Sequence, residues 1–171
     1  DTFSAASGQG FNLTTPIQLS VMLSVVANGG IKYQPYLVDS ILNADGTLFE
    51  RPKREAGKHI DVSQRTIDYM RQGMSATTQE GGTASYFSQL SKPIAGKTGT
   101  AENSHGRDHG LFVAYGPVDD PELVVVCIVE QGGFGSTAAG PIVYKAFEEF
   151  FKERGWMPED KPQQQSAQPE Q

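Results

Sequence analysis

The chain reads as an α+β domain, an antiparallel sheet covered by helices. Three observations predict this. Residues 110–117 ("GLFVAYGP") and 122–131 ("ELVVVCIVEQ") are two apolar runs joined by the short turn "VDDP", a connection that only antiparallel neighbours can use. Ile142, Val143, Ala146, Phe147, Phe150 and Phe151 then recur at helical spacing among Lys145, Glu148, Glu149, Lys152 and Glu153. Further helical patterns precede the strands, so helices and strands are segregated along the chain rather than alternating.

The elements follow in order. Thr14-Thr15-Pro16 caps and opens a helix that Asn28-Gly29-Gly30 stops. Ile17, Leu19, Val21, Met22, Leu23, Val25 and Val26 leave it little polar surface, so it should be buried on most sides. Two short apolar runs flank Asn43-Ala44-Asp45-Gly46, a hairpin signal. The charged residues 51–60 read as a loop or an edge. From Ser63, the spacing of Ile67, Met70 and Met74 predicts an amphipathic helix ending near Gly81-Gly82. "TASYFSQL" fits no single pattern, and "KPIAGKTGTAE" looks extended. The run "LVVVCIV" is apolar on both faces, which predicts a central strand in a sheet covered on both sides. Its Cys127 reads as a small buried thiol rather than a nucleophile. The glycine-rich "QGGFGSTAAGP" reverses the chain into the last helix, which Gly155 ends. Residues 1–155 therefore form the domain part, and the Pro/Gln-rich residues 156–171 should be a disordered tail.

The bulk properties narrow the function. With 171 residues the chain can bury a real core. Its net charge of −6 argues against nucleic acid as a partner, since phosphates need a basic face. The longest apolar run, Leu123 to Val129, is too short to span a bilayer. The opening "DTFSAASGQGF" carries no initiating Met or signal-peptide pattern and reads like the middle of a longer protein.

The stretch "KPIAGKTGTAEN" carries the chemistry. As a phosphate loop it needs a glycine where Ser91 stands and a helix where "AENSHGRDHG" follows, so that reading is weak. As an active-site strand it has a mechanical rationale. Lys97 puts a cation on one face, and Thr98 points away from it. Gly99 leaves room for a substrate against the backbone. Such a strand can bind an extended peptide by strand addition and aim an amide at an oxyanion. It supplies no nucleophile. His105, Asp108 and His109 in "HGRDH" lack a third strong local ligand, so no metal is expected. Glu102 reads as a solvated charge, and Gly132-Gly133 with Gly135 as a strand-to-helix reversal.

"GKTGTAE", preceded by "GTASYFSQLSKPIA" and followed by "DHGLFVAYGP…LVVVCIVEQGG", resembles the C-terminal half of a class B penicillin-binding protein transpeptidase domain. The head "GQGFNLTTPIQLSVMLSVVANGGIKYQPYLV" is similar to the same family in order and spacing. The resemblance implies the penicillin-binding transpeptidase / serine β-lactamase-like fold. Among its branches the elongation-type penicillin-binding protein 2 is the expected one. The family carries Ser-x-x-Lys, Ser-x-Asn and Lys-Thr/Ser-Gly motifs. Here no serine has a lysine three residues on, and no Ser-x-Asn occurs, so the nucleophile should lie in an upstream half of the same domain.

What the resemblance implies for the residues is specific. Lys97 and Thr100 are expected in a catalytic role, and Lys97, Thr98, Gly99 and Thr100 in substrate binding. Lys97 joins the hydrogen-bonding network around the serine. The Thr98 and Thr100 hydroxyls take the carboxylate of a β-lactam or of the donor peptide, and the Thr100 amide is one oxyanion donor. Gly82-Thr83-Ala84 matches a family segment without an assigned role. The implied activity is peptidoglycan cross-linking by serine acyl transfer, with no cofactor and with the chain alone inactive. The implied partners are the peptidoglycan stem peptide, β-lactams, and the polymerase of the elongation machinery. The implied location is membrane-anchored and extracytoplasmic. A serine β-lactamase or β-lactam sensor domain, or an inert peptide-binding fragment, remain the alternatives.

Overall fold

The computed structural model describes Gly8 and residues 13–156. Helix α1 (Pro16–Ala27) begins with the expected cap. The Thr15 hydroxyl accepts from the Gln18 N–H at 3.3 Å, and the Gln18 side chain accepts from the Thr15 N–H at 2.8 Å. It ends where the Gly30 N–H reaches back to the Val25 carbonyl, with Gly29 and Gly30 both at positive φ. Leu23, Val25, Val26 and Ala27 are buried, but Ile17 and Met22 are exposed. The expectation of burial on most sides therefore holds only for the C-terminal half of α1. Its first turns line an open groove instead of a core.

Two small ribbons follow. β1 (Ile31–Lys32) pairs with β4 (Lys58–His59), so the charged stretch does supply an edge. β2 (Ile41–Leu42) and β3 (Leu48–Glu50) form the expected hairpin, closed by the Asn43 N–H to the Thr47 carbonyl at 2.8 Å. Asp45 accepts from the Thr47 N–H at 2.9 Å, the Asx turn that Asp favours here.

Helix α2 (Gln64–Thr78) starts at Ser63, whose hydroxyl accepts from the Thr66 N–H. It stops at Thr78, short of the expected Gly81-Gly82, because the Thr78 side chain is turned inward. Its hydroxyl donates to the Ile94 carbonyl at 2.6 Å, tying the helix end to the entry of the next strand. The unresolved pattern "TASYFSQL" is a 3-10 helix (Ser85–Gln89), whose Phe87 stacks on Phe112 with ring centroids 4.9 Å apart.

The main sheet holds β5 (Ala95–Ala101), β6 (His109–Gly116) and β7 (Leu123–Val129), antiparallel in that order. Among the described residues the "LVVVCIV" strand is not the central one: β6 lies between β5 and β7, and β7 pairs with β6 alone and is half-buried along its length. Its two apolar faces have a different cause. α1 packs on one side of it and α4 (Gly140–Glu153) on the other. Apolar faces report what covers a strand, not what pairs with it. Cys127 is half-buried on β7, and burial pushes its thiol up, in keeping with an unreactive side chain.

The core has two parts on opposite faces of this sheet. Phe87, Ile94, Phe112, Ala114, Val143, Phe147 and Phe151 fill one, between the sheet, the 3-10 helix and α4. Leu23, Ala27, Ala95 and Tyr115 fill the other, beneath α1. A one-turn helix, α3 (Gly135–Ala138), leads into α4. Gly155 ends α4 at φ +68°, as expected. Trp156, assigned from sequence to the tail, instead packs against Phe150 and Phe151, and its N–H bonds the Phe151 carbonyl at 2.8 Å. The rest of the expected tail lies outside the described residues.

Candidate functional site

β5 brings Lys97, Thr98, Gly99 and Thr100 together on one strand, as alternation requires. Lys97 stands opposite Val113 and Gly99 opposite Leu111, which puts both on one face. Thr98 opposite Phe112 and Thr100 opposite Gly110 share the other face. β5 is an edge strand: β6 occupies one side, and no strand pairs with the other among the described residues. Its first residues are sunk in the core, with Ala95 and Gly96 buried, while Lys97 and Thr100 are exposed and Thr98 and Gly99 half-buried. The anchored end fixes the strand, and the functional end meets solvent.

Two glycines let the strand lie close against its neighbours. A Cβ on Gly96 would sit 2.8 Å from the Phe112 ring, and one on Gly99 would press on Leu111 Cβ at 3.3 Å. The Lys97 ammonium donates to the Thr98 carbonyl at 2.8 Å, so among the described residues it is held by the strand's own backbone and not by a carboxylate. One residue was missed from sequence. The Thr83 hydroxyl lies 3.5 Å from that of Thr98, so the segment "GTA" supplies a second hydroxyl beside the strand. Its match to the family segment was the only signal.

The histidine loop divides its members. The His105 ring pairs with the Ser104 hydroxyl at 2.9 Å. His109 Nδ1 accepts from the Gln131 N–H at 3.0 Å. Both nitrogens are engaged in local structure. After β5 the chain enters the 103–108 loop and not a helix, so Gly96-Lys97-Thr98 has no helix N-terminus to offer a phosphate.

A groove of about 760 Å³ lies elsewhere. Ile17, Val21, Met22, Val25, Ile67 and Met70 line it between α1 and α2. It is an apolar surface, with little of the polar chemistry that orients a small ligand.

An edge strand carrying Lys-Thr-Gly-Thr, backed by a C-terminal helix on one face of the sheet and by a second helical layer on the other, is the architecture that holds this site. The family described as the penicillin binding protein transpeptidase domain matches residues 1–148, and the chain belongs to it. The Haemophilus influenzae peptidoglycan D,D-transpeptidase MrdA is 29% identical over 90% of the chain. The chain spans 26% of that protein, about a quarter of its length. Among solved structures, Pseudomonas aeruginosa PBP2 in complex with WCK 5153 superposes with a TM-score of 0.70 and 34% identity, over 84% of this chain and 32% of that one. The penicillin G acyl-enzyme complex of Mycobacterium tuberculosis penicillin-binding protein A gives 0.68 and 27%, over 84% and 33%.

Proposed function

We propose that the chain is the C-terminal part of the catalytic domain of a peptidoglycan D,D-transpeptidase, and that β5 is one wall of its active site. Residues 1–156 belong to that domain, with Trp156 packed on its last helix, and the residues after Trp156 to a tail. The observation that carries the reading is the free edge of β5. An extended D-Ala-D-Ala peptide can lie along it as an added strand, with Lys97 and the threonine hydroxyls at hand.

The chemistry follows from what the strand offers and lacks. A serine supplied by the preceding part of the domain attacks the carbonyl carbon between the two D-alanines. The Thr100 N–H donates to the oxygen that becomes negative. The C–N bond breaks, the terminal D-alanine leaves with a proton, and an ester to serine remains. An amine of a neighbouring stem peptide then attacks that ester, forming the cross-link and restoring the serine. The Thr98 and Thr100 hydroxyls hold the terminal carboxylate, and the Lys97 ammonium supports the hydrogen-bonding network around the serine. Gly99 keeps the wall low enough for the substrate backbone. A β-lactam takes the same path and stalls at the ester.

The full protein would be of the elongation type, involved in cell shape, anchored by one membrane helix and facing the periplasm or cell exterior, beside a polymerase. The test is acylation of the intact protein by fluorescent penicillin, followed by its release. One long-lived adduct per molecule supports a transpeptidase. Rapid release marks a serine β-lactamase, and no adduct refutes the reading.

A further inference from the structure

Behind the outer end of β5 runs the segment 131–138, fitted so closely that side chains are excluded. Gly135, the first residue of α3, is buried. A Cβ built on it would fall within 3.0 Å of the carbonyl oxygens of Gly99 and Leu111, the facing pair of β5 and β6. Gly135 is not among the described glycines at positive φ, so the turn itself does not require it. Close approach to the backbone of the Lys97–Thr100 strand does. The neighbouring Gly110 repeats the pattern: its Cβ would lie 2.9 Å from the Gly133 carbonyl oxygen and 3.1 Å from Ala138 Cβ. Gly110 stands opposite Thr100, so the segment backs the face that carries Thr98 and Thr100.

Three hydrogen bonds hold the segment in place. The Gln131 N–H donates to His109 Nδ1 at 3.0 Å, and the Gly133 N–H to the Asp108 carbonyl at 2.8 Å. The Tyr86 hydroxyl donates to the Ser136 carbonyl at 3.0 Å. Gln131 has φ +55°, the only positive value among the described non-glycine residues, so its conformation depends on being held. His109 itself faces Ala101, one residue beyond Thr100.

We infer that Gly135 and His109 are positioning residues for the substrate-binding strand. Gly135 sets how closely the Gly99–Thr100 backbone can seat on its support. His109 holds the turn that delivers Gly135. A side chain at 135 displaces the strand by a fraction of an ångström to an ångström, where the Thr100 amide must meet a developing oxyanion. Misplacement on that scale costs roughly a hundredfold in rate. The inference rests on the transpeptidase reading.

The experiment measures the acylation rate constant at saturating fluorescent penicillin in the intact protein, together with final adduct stoichiometry, which counts folded sites. Gly135→Ala should slow the rate constant roughly a hundredfold while stoichiometry stays at wild-type level. His109→Leu should slow it about tenfold, the equivalent of one lost hydrogen bond. His109→Asn, whose Oδ1 stands near the place of Nδ1, should recover most of that loss. A purely structural role would lower stoichiometry or thermal stability and leave the rate constant per site unchanged. Where Gly135→Ala does not fold, the His109 pair decides. A wild-type rate constant in folded Gly135→Ala, or equal behaviour of the Leu and Asn variants, overturns the inference. A wild-type protein that takes up no penicillin overturns the transpeptidase reading itself, and this inference with it.

Discussion

Replacing Thr78 with valine should loosen the entry of β5 at its most buried polar contact. Thr78 is 3% exposed, and its hydroxyl donates to the Ile94 carbonyl at 2.6 Å, with the Ser75 carbonyl as a second acceptor at 3.0 Å. Valine keeps the shape and removes the donor. The lost hydrogen bond costs about 1 kcal/mol, and a buried carbonyl left short of a partner adds about 1 kcal/mol or more. The expected total is about 2 kcal/mol. For a domain of ordinary size this is a fall of about 4–8 °C in Tm. Thr78→Ser keeps the hydroxyl and loses one methyl, about 0.8 kcal/mol by transfer. Urea denaturation of the intact protein measures both. Valine should be the less stable variant by about 1 kcal/mol at equal m-value. A valine variant as stable as the serine variant would show that packing, not this hydrogen bond, joins α2 to β5.

The remaining expectations concern the strand and the chain by itself. In the intact protein, folded Lys97→Ala should acylate far more slowly, and Lys97→Arg should rescue it only in part, because a planar guanidinium does not replace a compact ammonium. Thr100→Ala should weaken carboxylate binding moderately. Thr100→Pro removes the amide hydrogen and should cost roughly a hundred- to a thousandfold, the range for an oxyanion donor. Second-order acylation rates, with circular dichroism as the fold check, decide these. The isolated chain should form no covalent adduct with penicillin by mass spectrometry, and a stoichiometric adduct would reverse the assignment of the nucleophile to another part of the protein. The isolated chain should also self-associate through the exposed groove around Ile17 and Met22. A monodisperse monomer in sedimentation would count against that.

Much of this was legible in the sequence where local rules govern. Thr15 and Ser63 mark helix starts because a short side-chain oxygen satisfies the first free N–H groups, whatever the rest of the fold does. Asn43–Gly46 marks the hairpin, and the Phe147–Phe151 pattern marks the last helix, for similarly local reasons. What stayed hidden depends on tertiary partners. "LVVVCIV" tells that both faces are covered but not which strand is its neighbour. The end of α2 is fixed by Thr78 turning toward Ile94, a contact sixteen residues away. The exposure of Ile17 and Met22 is invisible to a pattern that counts only apolar residues. At the site, the order and spacing of Lys97, Thr98, Gly99 and Thr100 pointed to the strand directly. The approach of Thr83 to Thr98 and the close fit of Gly135 could be seen only in three dimensions. A glycine needed for space and a glycine needed for a turn are the same letter.

Trp156 gives the chain a built-in optical reporter. It is the only tryptophan in the 171 residues. Its ring meets Phe150 edge-on at 6.1 Å and Phe151 at 5.8 Å, and the Lys92 ammonium lies 5.6 Å from its centroid. Lys92 opens the stretch that becomes β5, while Phe151 is buried in the core behind the sheet. One indole therefore senses both the seating of the last helix and the chain leading into the Lys97 strand. Its emission maximum and quenching should shift when either contact opens, which lets intrinsic fluorescence follow strand displacement without any added label.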